Sequence, residues 1–220
     1  MPLVGALTIW GIQEGWGWIW GQISGPAEVK AYTPGIATDA CIPLYSEQSV
    51  AVLKGDTATA LQRSVPISDT SGMPAEFPIT LQAKTEQSIV ITGVQVKVLS
   101  SKAIPRRGLI LEPDGCGALV WPRTFTVNLI GAPITTKPVK PDTGKAPVDF
   151  PFKVSTKDPE QVTLQLAPGD RDIRFTVKVE WVTDGEPGSK LLDNGGKGYR
   201  VMGRGNLPTY SQAKLTQVRQ

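Results

Sequence analysis

The chain has 220 residues, of which 40% are hydrophobic and 20% charged, with a formal net charge of +3 at pH 7 and no histidine. This length and apolar content predict one domain with a hydrophobic core, and 23 glycines with 19 prolines indicate many loops. The small net charge gives no support for nucleic-acid binding. The absence of histidine excludes Ser-His-Asp and Cys-His catalysis.

The first predicted element is the apolar segment Leu3–Gly25, which as a helix would be roughly 34 Å long, against about 30 Å for a bilayer core. It contains four of the six tryptophans, residues that favour the membrane interface: Trp10, Trp16, Trp18 and Trp20. Glu14 opposes insertion, at a cost on the order of 3 kcal/mol. We predict that residues 1–26 form an N-terminal apolar helix that spans the membrane as an anchor. An interfacial helix and a helix buried in a soluble protein are the alternatives.

The two cysteines, Cys41 and Cys116, lie in turn-like segments beside glycine or proline. Two cysteines in an exported domain commonly pair, so we predict a disulfide between them. Two unrelated free thiols are the alternative. No cysteine pair has the spacing of a zinc site, and we expect neither a metal nor a cofactor.

After residue 26 the sequence alternates apolar and polar residues, the pattern of strands with one buried face. Five segments show it: 94–99 (VQVKVL), 124–129 (TFTVNL), 149–154 (DFPFKV), 161–166 (QVTLQL) and 173–182 (IRFTVKVEWV). Turn residues between Leu166 and Ile173 predict a hairpin connection. Eight or nine short strands over residues 27–205 predict an all-β, antiparallel two-sheet sandwich of Ig-like or related topology.

Two segments interrupt this pattern. Gly131–Pro147 has four prolines and three lysines, and predicts a long exposed loop. We expect Lys137, Lys140 and Lys145 to contact an anionic wall polymer or lipid headgroups, with a solvated connector as the alternative. Residues 206–220 lack periodicity and are expected to form a basic, flexible tail.

The order of these segments resembles that of the uncharacterised membrane-anchored or exported proteins of Streptomyces and other actinobacteria. The resemblance depends on the apolar start, on 87–105 (QSIVITGVQVKVLSSKAIP), on 162–188 and on the closing DNGGKGYRVMG. It implies a single membrane span followed by an extracytoplasmic β-domain, and it carries over no activity. The chain departs from it by lacking a basic flank before the apolar segment, which a natural start upstream of Met1 would explain.

Three patterns bear on catalysis. Ser211 and Lys214 have the S-x-x-K spacing of serine–lysine acylases, but the accompanying motifs are missing. The segment 193–199 (DNGGKGY) lacks the full phosphate-loop spacing and predicts a glycine-rich turn. Two carboxylate pairs have the residue types of a glycosidase and lie in predicted turns: Glu112 with Asp114, and Asp184 with Glu186.

These observations together predict a non-enzymatic, membrane-anchored β-sandwich module that binds a protein or an anionic cell-wall polymer. We expect it in the cell membrane, single-pass, with the C-terminal domain outside the cytoplasm. One alternative is a soluble structural or assembly protein whose tryptophan-rich segment packs into a partner. A carboxylate-based wall hydrolase is the second alternative.

Overall fold

A computed structural model describes residues 28–36, 42–55, 61, 63–69, 74–114, 123–141, 144, 146–216 and 218. The described part of the chain contains one six-residue helix, α1 (Val50–Gly55). Its strands are β1 (Val29–Tyr32), β2 (Leu44–Ser46), β3 (Val65–Ser68), β4 (Ala75–Ala83), β5 (Ile89–Ala103), β6 (Leu109–Glu112), β7 (Thr124–Asn128), β8 (Thr136–Pro138), β9 (Phe152–Val154), β10 (Glu160–Ala167), β11 (Arg171–Thr183), β12 (Glu186–Leu192), β13 (Tyr199–Gly203) and β14 (Thr209–Ser211).

The strands form two sheets that pack face to face. The smaller sheet has the order β1-β4-β10-β7-β8, and the larger has the order β14-β6-β2-β3-β13-β11-β5-β9, with β12 also paired to β11. The prediction of a mostly β chain with two sheets is confirmed. The prediction of purely antiparallel sheets was wrong, because β7 and β10, β3 and β13, and β6 and β14 pair in parallel. Parallel neighbours cannot be joined by a tight hairpin, and these strands are indeed distant in the sequence.

The connection after Leu166 also differs from the prediction. The expected hairpin is absent, because β10 pairs with β4 and β7 in the smaller sheet, whereas β11 belongs to the larger sheet. Alternation shows which face of a strand is buried but not which strand lies beside it. The turn residues 168–170 therefore carry the chain from one sheet to the other.

The longest antiparallel pair, β5 with β11, forms the centre of the larger sheet. Its inward side chains are the ones that alternation predicted, and Ile173, Phe175, Val177, Val179 and Trp181 are all buried. The register shifts twice, so that Thr92 and Leu99 are extra residues in β5 opposite a continuous β11. Such bulges increase local twist and bend the strand.

The main core lies between the two sheets and contains two aromatic clusters. In one, the Phe77 ring meets Phe175 edge-on at 5.7 Å and Tyr199 at 4.6 Å. In the other, Phe150 stacks between Phe125 and Phe152, and the Arg123 guanidinium lies 4.4 Å above the Phe152 ring. Arg123 also donates two hydrogen bonds of 2.9 Å to Glu160, and these bonds raise the pKa of the Arg123 guanidinium. Rings from both sheets thus fix how the sheets pack.

The larger sheet extends beyond the sandwich through β14, β6, β2 and β3, and this extension has its own apolar clusters. Leu53 of α1 is buried in a cluster with Leu44, Leu109, Leu111 and Leu215. A second cluster contains Tyr45, Val65, Ile67, Ile110, Met202 and Leu207. Residues 206–220 were expected to be a flexible tail, but β14 and the buried Leu207 and Leu215 dock much of this segment onto β6.

Asp114 holds the docked segment after β14. Its Oδ1 accepts a 2.6 Å hydrogen bond from Ser211 Oγ, and its Oδ2 accepts a 2.7 Å bond from the Ala213 amide. These two bonds hold the pKa of Asp114 below its ordinary value of 3.8, and the bond from Ser211 makes the larger contribution. A lowered folded-state pKa means that this stabilisation is complete above the ordinary value and is lost as the pH falls through the folded value.

We therefore expect protection of the Ala213 amide from hydrogen exchange, measured relative to unfolded-peptide rates, to decrease as the pH falls below 3.8. Asp114→Asn is the control, because its amide does not titrate; its Ala213 protection should be lower at neutral pH and flat across the acid range. Wild-type protection that persists unchanged well below that pH would contradict this role.

Two sequence predictions are corrected here. Within the described part of the chain, no helix is long and apolar enough to cross a membrane, so the predicted transmembrane helix is not retained. The described residues show no disulfide either, and that prediction is withdrawn. Residues 1–26, with Trp10, Trp16, Trp18 and Trp20, lie outside the described residues, as do Cys41 and Cys116.

Candidate functional site

A groove runs along one edge of β5. β9 pairs with that edge only at Ile89–Ile91, and no other described strand pairs with it beyond this point. A cavity of about 650 Å³ opens there, lined by Gly93–Val98 of β5 and by Ile134, Thr136 and Phe150. The two bulges, at Thr92 and Leu99, bracket the lining segment. The groove therefore follows a regular stretch of this edge.

The backbone of β5 presents hydrogen-bonding groups to the groove. Val94 lies opposite Val179 of β11, yet its carbonyl accepts a 3.4 Å hydrogen bond from Thr136 Oγ1, on the side away from β11. In an antiparallel strand the N–H and C=O of one residue point to the same side, and the direction alternates along the strand. Val96 and Val98 therefore direct their N–H and C=O groups into the groove, where no described strand pairs with them.

The floor of the groove is apolar. Val94 and Val96 are buried and Val98 is half-buried, and all three face the other sheet. Ile134 and Phe150, from the segment between β7 and β9, form the opposite wall. β8 is the last strand of the smaller sheet, so the groove is the open seam between the two sheets. Apolar side chains can enter such a seam without leaving their own backbone unpaired.

The outer rim of the groove is positively charged. Lys97 lines the groove, and Lys102 lies farther along β5, beyond the bulge at Leu99; both are exposed, and neither has an ion-pair partner among the described residues. The neighbouring Lys178 is different, because its ammonium donates a 2.7 Å hydrogen bond to Glu180. Gln95 also donates to Glu180, at 2.8 Å. Lys97 and Lys102 therefore set the charge beside this edge.

The predicted loop contributes the wall of this groove. Gly131–Pro147 was expected to be free of strands, but Thr136–Pro138 forms β8, paired with β7. Lys137 is opposite Thr126 and exposed, and Lys140 is exposed two residues after β8. Lys145 lies outside the described residues. The groove depends on the approach of this segment to β5, and its role in binding stays a prediction.

The residues considered for catalysis have other partners or lie in turns. Ser211 Oγ donates to Asp114 and accepts from the Lys214 amide at 3.0 Å, so it caps the turn after β14. Glu112 accepts a hydrogen bond from Arg204. Asp184 begins the two-residue hairpin turn from β11 to β12, where its φ is 48° and that of Gly185 is 83°. Glu186 is the first residue of β12.

Acidic side chains are also the usual ligands of metal ions. Among the residues that the structure describes, no group of three or more Asp, Glu, His or Cys side chains could hold a metal ion. What the groove itself offers a ligand is backbone hydrogen bonding, apolar contact and positive charge.

The chain was compared with known proteins in three ways. Neither the family models, nor the curated proteins, nor the solved structures gave a match. The function is therefore inferred from the geometry of the groove and from the sequence.

Proposed function

We propose that this chain is a non-enzymatic binding module that captures an extended, acidic segment of a partner protein by strand addition to β5. The observation that carries this proposal is the edge between the two bulges, which no described strand covers and whose backbone groups at Val96 and Val98 are directed into an apolar seam. Strand addition uses main-chain hydrogen bonds for affinity and alternate side chains for specificity. We assign the sandwich to the Ig-like or related class of binding modules. The resemblance to exported actinobacterial proteins supports a location outside the cytoplasm.

The geometry specifies the sequence of the bound segment. Because side chains of a strand alternate between the two faces, every second residue of the partner would enter the seam beside Val96, Ile134 and Phe150. These residues should be β-branched or aromatic. The residues between them would lie on the outer face, beside Lys97 and Lys102, where acidic side chains are favoured.

The same charges argue against a second copy of this chain as the partner. Antiparallel pairing of two β5 edges would place Lys97 and Lys102 of one copy near those of the other, and like charges across a strand pair are unfavourable. Lysines on an exposed edge are a common protection against self-association. An acidic strand meets no such penalty.

The test is binding of a fluorescein-labelled peptide of about eight residues that alternates valine and glutamate, followed by fluorescence polarisation. We expect Val96→Pro to weaken binding at least tenfold, about 1.4 kcal/mol, because it removes one N–H that faces the groove and none that pairs with β11. Val96→Ala retains the N–H and is the matched control, with an expected loss of less than about threefold.

A second variant, Lys97→Glu, tests strand addition to β5 even if the Val96→Pro protein does not fold. Lys97 is exposed, so Lys97→Glu should leave the melting temperature nearly unchanged. It should reverse the preference of the module, so that a peptide alternating valine and lysine binds better than the glutamate peptide. Equal binding of both peptides to the wild type, or no binding of either, would refute the proposal.

A further inference from the structure

A second concave region lies on the extension of the larger sheet and shares no lining residue with the groove. It consists of two adjacent cavities, of about 410 and 210 Å³, which meet at Tyr45 and Glu47. The larger is lined by the loop between β5 and β6, including Arg106 and Arg107. The smaller is lined by Gln48 and by two further arginines, Arg63 and Arg200.

The double-arginine loop is fixed in place by Tyr45. The buried Tyr45 side chain donates a 2.9 Å hydrogen bond from its hydroxyl to the Arg107 carbonyl. Burial raises the pKa of this tyrosine, so the hydroxyl remains a donor. Gly108 follows with a φ of 115°, and a Cβ there would meet the Tyr45 ring at 2.5 Å and the Ser46 carbonyl oxygen at 2.7 Å. Only glycine allows the loop to lie this close.

Three of the four arginines are available to a ligand. Arg200 donates two 2.8 Å hydrogen bonds to Asp172 and is thereby neutralised. Arg63, Arg106 and Arg107 are exposed and have no carboxylate partner among the described residues. The planar guanidinium group binds phosphate or carboxylate through two parallel hydrogen bonds. Three such guanidinium groups beside one Glu47 carboxylate favour an anion.

Two side chains at these cavities, Glu47 and Gln48, offer oxygen atoms that can accept hydrogen bonds from hydroxyl groups of a ligand. Gln48 Oε1 is buried at the smaller cavity and has no hydrogen-bond partner among the described residues. Glu47 is exposed between the two cavities, and its carboxylate can only accept hydrogen bonds. A bare anion would leave the buried Gln48 acceptor unmatched, whereas a ligand hydroxyl group would satisfy it and could also donate to the exposed Glu47.

We infer that these cavities bind a phosphorylated polyol, with its phosphate on Arg63, Arg106 or Arg107 and its hydroxyl groups on Glu47 and Gln48. Each cavity has at least one exposed arginine, Arg106 and Arg107 in the larger and Arg63 in the smaller, so the pair suits a ligand with more than one phosphate, such as a polyol-phosphate chain. This site is independent of strand addition at β5, so either proposal can fail without the other.

The experiment is calorimetric titration of the full chain with an oligomer of glycerol phosphate, with glycerol 1-phosphate, with inorganic phosphate and with glycerol. We expect the oligomer to bind at least fivefold more tightly than inorganic phosphate, and glycerol not to bind. Glycerol 1-phosphate distinguishes a small phosphate ester from a polymer as the source of the ligand: affinity equal to that of the oligomer indicates the small ester, and a tenfold lower affinity indicates the polymer.

Two variants separate this site from general ionic attraction. Arg107→Gln should weaken oligomer binding at least fivefold, whereas Lys97→Gln, at the β5 groove, should leave it unchanged and lower only peptide binding. Gln48→Leu should reduce the preference for the oligomer over inorganic phosphate. The inference is overturned if inorganic phosphate binds as tightly as the oligomer, if Arg107→Gln and Lys97→Gln have equal effects, or if nothing binds.

Discussion

Gly203→Ala is expected to prevent the chain from folding stably. Gly203 ends β13, where the turn between β10 and β11 crosses directly over it. A Cβ at this position would overlap the Gly169 carbonyl oxygen and lie 2.9 Å from the carbonyl carbon and 3.3 Å from the Asp170 Cα. All these atoms belong to the backbone, so no side-chain rotation relieves the overlap. We expect a loss of more than about 3 kcal/mol, at the upper end of overpacking effects.

The measurement is urea unfolding followed by far-UV circular dichroism. Gly93→Ala is the matched control, since Gly93 also lies in a strand of the larger sheet but a Cβ added there would meet nothing within 4 Å. Its unfolding free energy should stay within about 1 kcal/mol of the wild type. A Gly203→Ala protein with wild-type stability would mean that the turn 168–170 does not lie on β13.

Phe175→Ala is expected to have the second largest effect, a loss of about 3–5 kcal/mol. Phe175 is fully buried, and its ring lies 5.7 Å from Phe77 in the other sheet and 5.9 Å from Tyr199. Truncation removes the ring and leaves a cavity between two sheets that cannot both move to fill it. The loss of unfolding free energy therefore has two parts, the lost free energy of transferring the ring from water into the core and the cost of the cavity that remains.

Two variants check this explanation. Phe175→Leu fills part of the cavity and should cost about half as much as the alanine variant. Leu99→Ala, at a bulge residue of the neighbouring β5 that is 47% exposed, should cost less than about 1 kcal/mol. Equal losses for Phe175→Ala and Leu99→Ala would contradict the assignment of Phe175 to the core.

The groove and the arginine-lined cavities arise from different features of the larger sheet. The groove exists because β9 is only three residues long and covers just one end of this β5 edge. The cavities exist because Gly108 allows the loop after β5 to lie against Tyr45. A partner strand on Val96 and a phosphorylated polyol on Arg107 would use separate residues, so the two can be tested in the same preparation.

The sequence by itself determined the local structure of this protein. Alternation in 173–182 predicted β11 and its buried face, because a strand with one face on a core must place apolar residues at every second position. The same argument located β7, β9 and β10. Composition, and not alternation, indicated that Gly131–Pro147 is an exposed segment, because prolines and lysines in a long connection favour exposure.

Only the tertiary structure decided which strands are neighbours and therefore where a site can lie. The alternation of residues shows which face of a strand is buried but not which strand lies beside it. For this reason a hairpin was expected at 166–173, where the chain in fact crosses between the sheets, and the three parallel pairs were not predicted. The groove at Val96 depends on where β9 stops, and the arginine-lined cavities bring together residues as distant in the chain as Tyr45 and Arg200. Such contacts depend on the packing of the whole sheet, and no local pattern encodes them.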